Sequence, residues 1–237
     1  MTRRDSTRLE VIIQLFSALA RFGLRRDKGV LVENCGGLSR FSGIDRSDER
    51  DYRDMLRNTP TNWGSISRWL HWILGLAIVG MIAYGWWMNH VPVRAARLFH
   101  RSIHADIGYV VLLLTVLRLV WRGVNPTPEL PGDTPRWQRI AARVSHWALY
   151  LATILVAMLG WAMAGARAPD YSSWFGLFNV PQITSPDKAA ANAYEARHIL
   201  FAYVLLALIA IHIAAAAWHH FVRRDRVAVR MIRGGTG

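Results

Sequence analysis

The chain of 237 residues contains a single cysteine, Cys35. One cysteine excludes an intrachain disulfide, and it excludes iron–sulfur or zinc sites built from four cysteine thiolates. The motif C-x-x-C-H is also absent. Covalent haem attachment of the c type at that motif is therefore excluded, and any haem is expected to be held noncovalently.

Lysine is almost as scarce as cysteine, although the formal net charge is +13. Lys28 and Lys188 are the only lysines among 29 basic residues, and arginine supplies the rest. In a chain that is 52% hydrophobic, such an excess of arginine is typical of membrane orientation and of contact with anionic lipid. We therefore expect membrane lipid as a partner and no nucleic acid, while the protein partner stays unknown.

Charged residues are also scarce in four long apolar runs. The last run, from Ile199 to Trp218, has no charged residue and is as long as the roughly 20 residues that cross a bilayer core. The four runs predict spans at about residues 69–88, 102–121, 146–164 and 198–220. The expected fold is all-α, an integral membrane four-helix bundle over residues 63–233.

The segments outside these spans differ in character. Residues 125–135 read NPTPELPGDTP, which cannot continue a helix. Residues 165–197 are predicted to form a long loop without evident helix, and loops of that length are often functional. Its stretch from Trp174 to Phe178 is interpreted either as a lid over the outer site or as a set of interfacial anchors.

Residues 1–62 form a basic extension that is predicted to be disordered, with a surface helix drawn from Leu9 to Phe22. Met55 precedes a short polar lead into the first span, which raises the hypothesis that translation starts there and that the extension is wrongly assigned. The sequence leaves the choice between Met1 and Met55 open.

Arginine placement predicts the orientation of the bundle. Beyond residue 57, eleven basic residues fall on the side of the termini and six on the opposite side. The positive-inside rule then puts both termini in the cytoplasm. The six outer basic residues are Arg94, Arg97, Arg101, Arg167, Lys188 and Arg197.

Two histidines of the last span, His198 and His212, are fourteen residues apart. On a helix this separates them by roughly 21 Å along the axis while leaving them on one face. Antiparallel topology places His71 at the depth of His212 and His104 at the depth of His198. His146 also begins a span at the depth of His212, so the spacing alone leaves it as a competitor.

Facing imidazoles at two depths suit haem iron, because neutral nitrogen ligands add no charge to a site of low dielectric constant. With both axial positions filled, the expected chemistry is electron transfer. The other interpretation is that these histidines make hydrogen bonds between helices.

Several further polar residues lie near these depths. His90 and His100 are expected to be solvated, and Asp106 is interpreted as a proton relay or as an ordinary acid in the first turns of a helix. His219 and His220 are expected at the interface, with contact to a haem propionate or a quinone as the alternative. Arg68, Arg118 and Arg122 are interpreted as partners of haem propionates or as interfacial anchors.

Four stretches carry a resemblance to a known family: SRWLHW at 67–72, IHADIG at 103–108, SHWALY at 145–150, and Arg197 to Met231, which includes HHF and the pair Arg230 and Met231. Together they resemble the bacterial cytochrome b561 family, over about residues 63–233. The resemblance implies a multi-pass protein of the inner membrane and a role in a respiratory chain.

The resemblance also implies two haem b groups with ubiquinone as the electron acceptor. Carried over by motif, His71 and His212 would be the axial ligands of an inner haem iron, and His104 and His198 those of an outer one. The histidine of SHWALY is not usually an iron ligand in this family, which sets His146 aside by analogy only.

Some members that this chain resembles oxidise superoxide and reduce ubiquinone, so the first functional hypothesis is a superoxide:quinone oxidoreductase. The six outer basic residues would then steer the anion toward the outer haem. The alternative for these residues is that they anchor the protein to lipid at the membrane surface. The alternative is a haem-carrying relay subunit of a separate dehydrogenase or hydrogenase. A third reading is a membrane scaffold without a cofactor.

Overall fold

A computed structural model describes residues 55–167 and 173–234 of the chain. Its long helices are α1 (Ser65–Met88), α2 (Arg94–Val124), α3 (Arg136–Arg167) and α4 (Lys188–Trp218). A π-helical turn, His219–Arg223, continues α4, and a short helix, α5 (Val227–Ile232), follows. Strands β1 (Ser173–Trp174) and β2 (Phe178–Asn179) form an antiparallel hairpin. The surface helix predicted from Leu9 to Phe22 lies outside the described residues.

Four helical segments are long and apolar enough to cross a membrane. They are Ser65–Met88, Arg94–Val124, Arg136–Arg167 and Lys188–Arg223. The predicted all-α fold with four spans is confirmed, and the proline-rich segment 125–135 does separate two helices. The side on which the termini lie remains a prediction.

The helices extend beyond the apolar runs, and this corrects the loop predicted over residues 165–197. Helix α3 continues to Arg167 and α4 already begins at Lys188. The side chain of Asp187 caps α4 by accepting hydrogen bonds from the backbone N–H groups of Ala189 and Ala190. The alanine-rich stretch that follows has high helix propensity, so a helix forms where hydropathy alone indicates a loop.

Consecutive long helices pack side by side, whereas α1 and α4 touch at few points. One end of the bundle, here called the termini end, holds the start of α1, the end of α4 and α5. The other end, here called the hairpin end, holds the end of α1, the start of α2 and the β1–β2 hairpin.

The interior of the bundle is made mostly of small and polar residues, together with a few leucines such as Leu70 and Leu205, and many large apolar residues face outward. Thr115 is fully buried, and its hydroxyl donates to the carbonyl oxygen of Val111 at 2.7 Å. Leu76 and Leu151 are 69% and 68% exposed. Such a distribution suits a protein whose solvent is lipid, because helices then gain from close packing rather than from burying large apolar side chains.

The segment before α1 is joined to the linker between α2 and α3. The amide of Asn58 donates to the carbonyl oxygen of Pro126 at 2.9 Å, and its side-chain oxygen accepts from the N–H of Gly64 at 3.0 Å. A Cβ atom at Gly64 would lie 2.4 Å from the backbone of Arg57, so this approach requires glycine. Residues 57–64 are thereby held against the termini end, close to the start of α1.

Candidate functional site: two histidine pairs

At the hairpin end, His104 of α2 and His198 of α4 face each other. Their ring centroids are 6.1 Å apart, and the ring planes are inclined by 76°. A metal ion bound to one nitrogen of each ring at about 2.0 Å would separate the centroids by roughly 6 Å. The spacing therefore matches a pair of axial ligands on one iron, and it is too long for a direct hydrogen bond between the rings.

Helix α3 sets which ring nitrogen of neutral His198 carries the proton. Its Nδ1 atom lies 2.9 Å from the carbonyl oxygen of Val156, which can only accept a hydrogen bond. The proton of the neutral ring is therefore on Nδ1, and Nε2 carries the free lone pair. A histidine that binds a metal through one nitrogen commonly donates from the other in this way.

Glycines on neighbouring helices make room for both rings. A Cβ atom at Gly85 of α1 would lie 3.1 Å from Cε1 of His104. A Cβ atom at Gly160 of α3 would lie 3.2 Å from Cε1 of His198. In addition, Nδ1 of His104 is buried without a hydrogen-bond partner among the described residues. Such a group calls for a partner from outside the described residues.

At the termini end, His71 of α1 and His212 of α4 have the same separation, 6.1 Å between ring centroids. His146 of α3 is a second neighbour of His212, at 5.5 Å. The structure thus brings together the predicted pair and its predicted competitor. Distance does not choose between His71 and His146 as the partner of His212.

Arg118 occupies the Nδ1 side of His71. Its guanidinium donates to that nitrogen at 3.1 Å, to the carbonyl oxygen of Ser67 at 3.2 Å and to the hydroxyl of Tyr150 at 2.9 Å. Because arginine can only donate, the neutral His71 ring carries its proton on Nε2 in this arrangement. The termini-end pair therefore fits an iron by distance but needs Arg118 to leave Nδ1 before Nε2 can bind metal.

Aromatic residues pack around His104, and sequence reasoning missed them. Tyr84 stacks on the His104 ring with centroids 6.1 Å apart, and its hydroxyl lies 2.9 Å from Nδ1 of His100. Trp87 packs edge-on against His100 at 4.8 Å. His100, predicted to be solvated, is partly exposed but has Tyr84 and Trp87 as partners, whereas His90 is exposed. Nothing in the helical period of α1 distinguishes Tyr84 from a lipid-facing tyrosine.

Asp106 fastens the hairpin to α2, two residues after His104. The Asp106 carboxylate accepts from the backbone N–H of Phe175 at 3.2 Å, and its carbonyl oxygen accepts from Nε1 of Trp174 at 3.2 Å. Asp106 is only 6% exposed, so it is not an ordinary acid at headgroup level. Phe175 and Gly176 have positive φ values of 46° and 74°, which form the tight turn between the strands.

At the termini end, His219 is paired with a carboxylate. Its Nδ1 atom lies 2.5 Å from Oδ2 of Asp225, within the turn that ends α4. Asp225 also lies near Arg223, which in turn donates to Asp133 at 2.7 Å. His220, by contrast, is exposed and packs beside Phe221. The contact of His219 with a quinone or a haem propionate stays a prediction.

Within residues 55–167 and 173–234, no group of three or more His, Cys, Asp or Glu side chains could hold a metal ion. An iron whose other four ligands belong to a porphyrin would need only two of the histidines at each end. At the hairpin end the spacing, the His198 proton and the unpartnered His104 nitrogen all fit a noncovalent haem. At the termini end, only the separation of the His71 and His212 rings fits a haem.

The model of the family described as prokaryotic cytochrome b561 matches residues 62–234. The chain belongs to the prokaryotic cytochrome b561 family. Members are b-type cytochromes of the membrane, so the chain is a haem protein of electron transfer. With four helices able to cross the bilayer, this cytochrome b561 family member is a multi-pass bacterial membrane protein.

The chain is similar in sequence to several bacterial proteins. Cytochrome b561 homolog 2 of Escherichia coli (strain K12) is 33% identical over 178 residues, which cover 74% of this chain and 93% of that protein. Probable superoxide oxidase CybB of Yersinia pestis is 29% identical over 169 residues, 69% of this chain and 91% of that protein. Cytochrome b562 of Cereibacter sphaeroides is 28% identical over 174 residues, 69% of this chain and 90% of that protein.

Proposed function

We propose that this cytochrome b561 family member carries two haem b groups and transfers electrons from the outer face of the bacterial inner membrane to ubiquinone. His104 and His198 would hold the haem at the hairpin end, and His71 and His212 the haem at the termini end. The observation that carries the proposal is the equal ring separation of the two pairs, 6.1 Å, at two depths of one bundle.

A haem held by two imidazoles supplies reversible one-electron chemistry without an open coordination position. The residues of this chain contribute the surroundings. The carbonyl oxygen of Val156 holds the proton of His198 on Nδ1, and Gly85 and Gly160 let the two rings approach the neighbouring helices. The β1–β2 hairpin, held by Asp106, covers α2 beside His104 and would limit the access of water to that end.

We infer that the hairpin end faces outward, with both termini in the cytoplasm, because more basic residues lie at the termini end. The electron donor in this proposal is superoxide. Two superoxide ions release two electrons and leave two molecules of oxygen, and the two electrons with two protons convert one quinone to quinol. Support comes from the relative named probable superoxide oxidase and from basic residues at the hairpin end, among them Lys188 and Arg197, which attract an anion.

The first experiment counts haem in the purified protein. Wild type is compared with His198→Ala and His212→Ala by pyridine haemochrome and redox-difference spectra. Two haem b groups per wild-type chain, with each variant losing about one, are the expected result. One haem in the wild type, or unchanged haem in both variants, would contradict the proposed ligand pairs.

The second experiment tests the donor. The isolated protein in liposomes is given superoxide outside and a ubiquinone analogue in the membrane, and quinol formation is followed. Quinol formation by the protein alone is expected. A haem-loaded protein that reduces quinone only after a dehydrogenase or hydrogenase is added would be a relay subunit instead, and a protein that binds no haem would be a scaffold.

A further inference from the structure

A basic groove lies at the hairpin end, along the first turns of α2. Its cavity has a volume of about 630 Å³. We call it the arginine groove, and its walls include Arg94, Arg97, Arg101 and Arg167, together with the apolar side chains of Leu98 and Phe99. The cavity is much larger than a diatomic anion needs, and it falls in the size range of sites for organic ligands.

The charge of the groove is only partly balanced. The Glu195 carboxylate of α4 accepts hydrogen bonds from Arg101, at 3.5 Å, and from Arg167. In the described part of the chain, no carboxylate lies within ion-pair distance of Arg94 or Arg97. Glu195 thus neutralises one of four arginines. Guanidinium groups are planar donors that suit the oxygens of a phosphate.

The apolar part of the groove indicates the kind of phosphate. Leu98 is 42% exposed and Phe99 is 62% exposed, directly beside the arginines. Both lie in the first two turns of a helix that is long and apolar enough to cross a membrane, just before the predicted span at residues 102–121, so we expect them near the level of the headgroups. A free phosphate ion gains nothing from apolar walls, whereas a phospholipid presents its phosphate and its first acyl carbons together.

We propose that the arginine groove binds the phosphate of an anionic phospholipid headgroup, with Arg94 and Arg97 as its main contacts. The inference goes beyond the proposed function, because it depends on neither the electron donor nor the number of haems. Lys188 and Arg197 lie outside the arginine groove, so a bound headgroup leaves their positive charge free to attract a second anion.

The test uses the full-length, haem-loaded protein in detergent and native mass spectrometry. Dioleoylphosphatidylglycerol is titrated against wild type and against the double variant Arg94→Gln/Arg97→Gln, with dioleoylphosphatidylcholine as the neutral lipid. The matched control is Arg136→Gln/Arg143→Gln, which removes two exposed arginines of α3 at the other end of the bundle. Inorganic phosphate is added in a parallel series as a soluble competitor.

We expect one phosphatidylglycerol per chain bound in preference to phosphatidylcholine, and roughly thirty-fold weaker binding to the groove variant. The control variant should bind like wild type, and millimolar phosphate should not displace the lipid. Equal losses in both variants would show nonspecific charge attraction and overturn the proposal. Displacement by phosphate would assign the groove to a soluble anion, and loss of haem from the groove variant would assign the arginines to haem propionates.

Discussion

His198 of α4 donates its Nδ1 proton to the carbonyl oxygen of Val156 in α3, at 2.9 Å. Helix α3 carries none of the four predicted ligands, yet it fixes which nitrogen of a predicted ligand has the free lone pair. The bond ties the ring orientation to the packing of α3 against α4, the most extensive helix contact of the bundle. A change in α3 near Val156 should therefore act on the haem that we propose at the hairpin end.

The glycines that face the two hairpin-end histidines provide the first prediction. Gly160→Ala and Gly85→Ala each place a methyl group within 3.2 Å of a histidine ring. We expect each to weaken the hairpin-end haem site, with an overpacking cost of about 1–3 kcal/mol. The measurement is haem content with low-temperature difference spectra, which resolve two b-type centres.

The matched control for these variants is Gly80→Ala. Gly80 lies in the same helix as Gly85, and a Cβ atom there would meet nothing within 4 Å. Haem content should stay at the wild-type level, because alanine is the better helix former. Equal haem loss in all three variants would mean that the effect belongs to the helices and not to the histidine contacts.

The second prediction concerns which histidine binds the same iron as His212. His71→Ala should remove one haem and leave the spectrum of the other unchanged. His146→Ala should retain both haems. In our assignment the His146 ring, 5.5 Å from the His212 ring, is a packing neighbour and not an iron ligand. The reverse pattern, with haem lost in His146→Ala and kept in His71→Ala, would make His146 the ligand.

Arg118 gives the third prediction, on the proton of His71. In the haem-free protein, nitrogen-15 NMR of labelled histidine should show His71 as the Nε2–H tautomer, since Arg118 donates to Nδ1. Haem loading should convert it to the Nδ1–H tautomer as Nε2 binds iron. An Nδ1–H tautomer already present before haem is added would show that Arg118 does not hold this nitrogen in solution.

Replacing Arg118 with glutamine should loosen the same region in the haem-free protein. The variant loses the donors to His71, the carbonyl oxygen of Ser67 and Tyr150, and hydrogen bonds to charged groups contribute about 1.5–3 kcal/mol each. We expect a lower thermal midpoint than wild type. Arg136→Gln, at an exposed position of α3, should show no comparable shift.

Asp106 supports the fourth prediction, on the hairpin. Asp106→Ala removes the acceptor of the Phe175 N–H, a hydrogen bond that contributes about 0.5–1.5 kcal/mol, so the hairpin should open more often. Faster hydrogen exchange at residues 173–179 is the expected readout. Asp106→Asn keeps a side-chain oxygen and should retain most of the protection.

The control for the hairpin is Asp133→Ala. Asp133 is an exposed partner of Arg223 at the other end of the bundle, where ion pairs contribute little. Exchange at residues 173–179 should be unchanged in this variant. If Asp106→Ala also leaves the exchange unchanged, Asp106 does not hold the hairpin.

Sequence reasoning reached the four membrane helices and the candidate histidines that lie close together, because about 20 apolar residues in a row identify a membrane helix without any tertiary information. It failed at the helix ends. Residues 188–197 are polar enough that hydropathy predicts a loop. In the structure, Asp187 caps a helix that begins at Lys188, before the apolar run. Hydropathy marks where a helix meets hydrocarbon, not where its hydrogen bonds begin.

By itself, then, the sequence determined the class of this protein: a membrane bundle with imidazoles at two depths and no cysteine-based site. The tertiary structure decided which groups surround those imidazoles, namely the carbonyl oxygen of Val156, Gly85 and Gly160, Arg118 at His71, and Asp106 under the hairpin. The physical reason is that apolar residues occur on both sides of these helices: Leu70 and Leu205 are buried, whereas Leu76 and Leu151 are exposed. The sequence pattern therefore does not mark the inner face of a helix, and only packing reveals it.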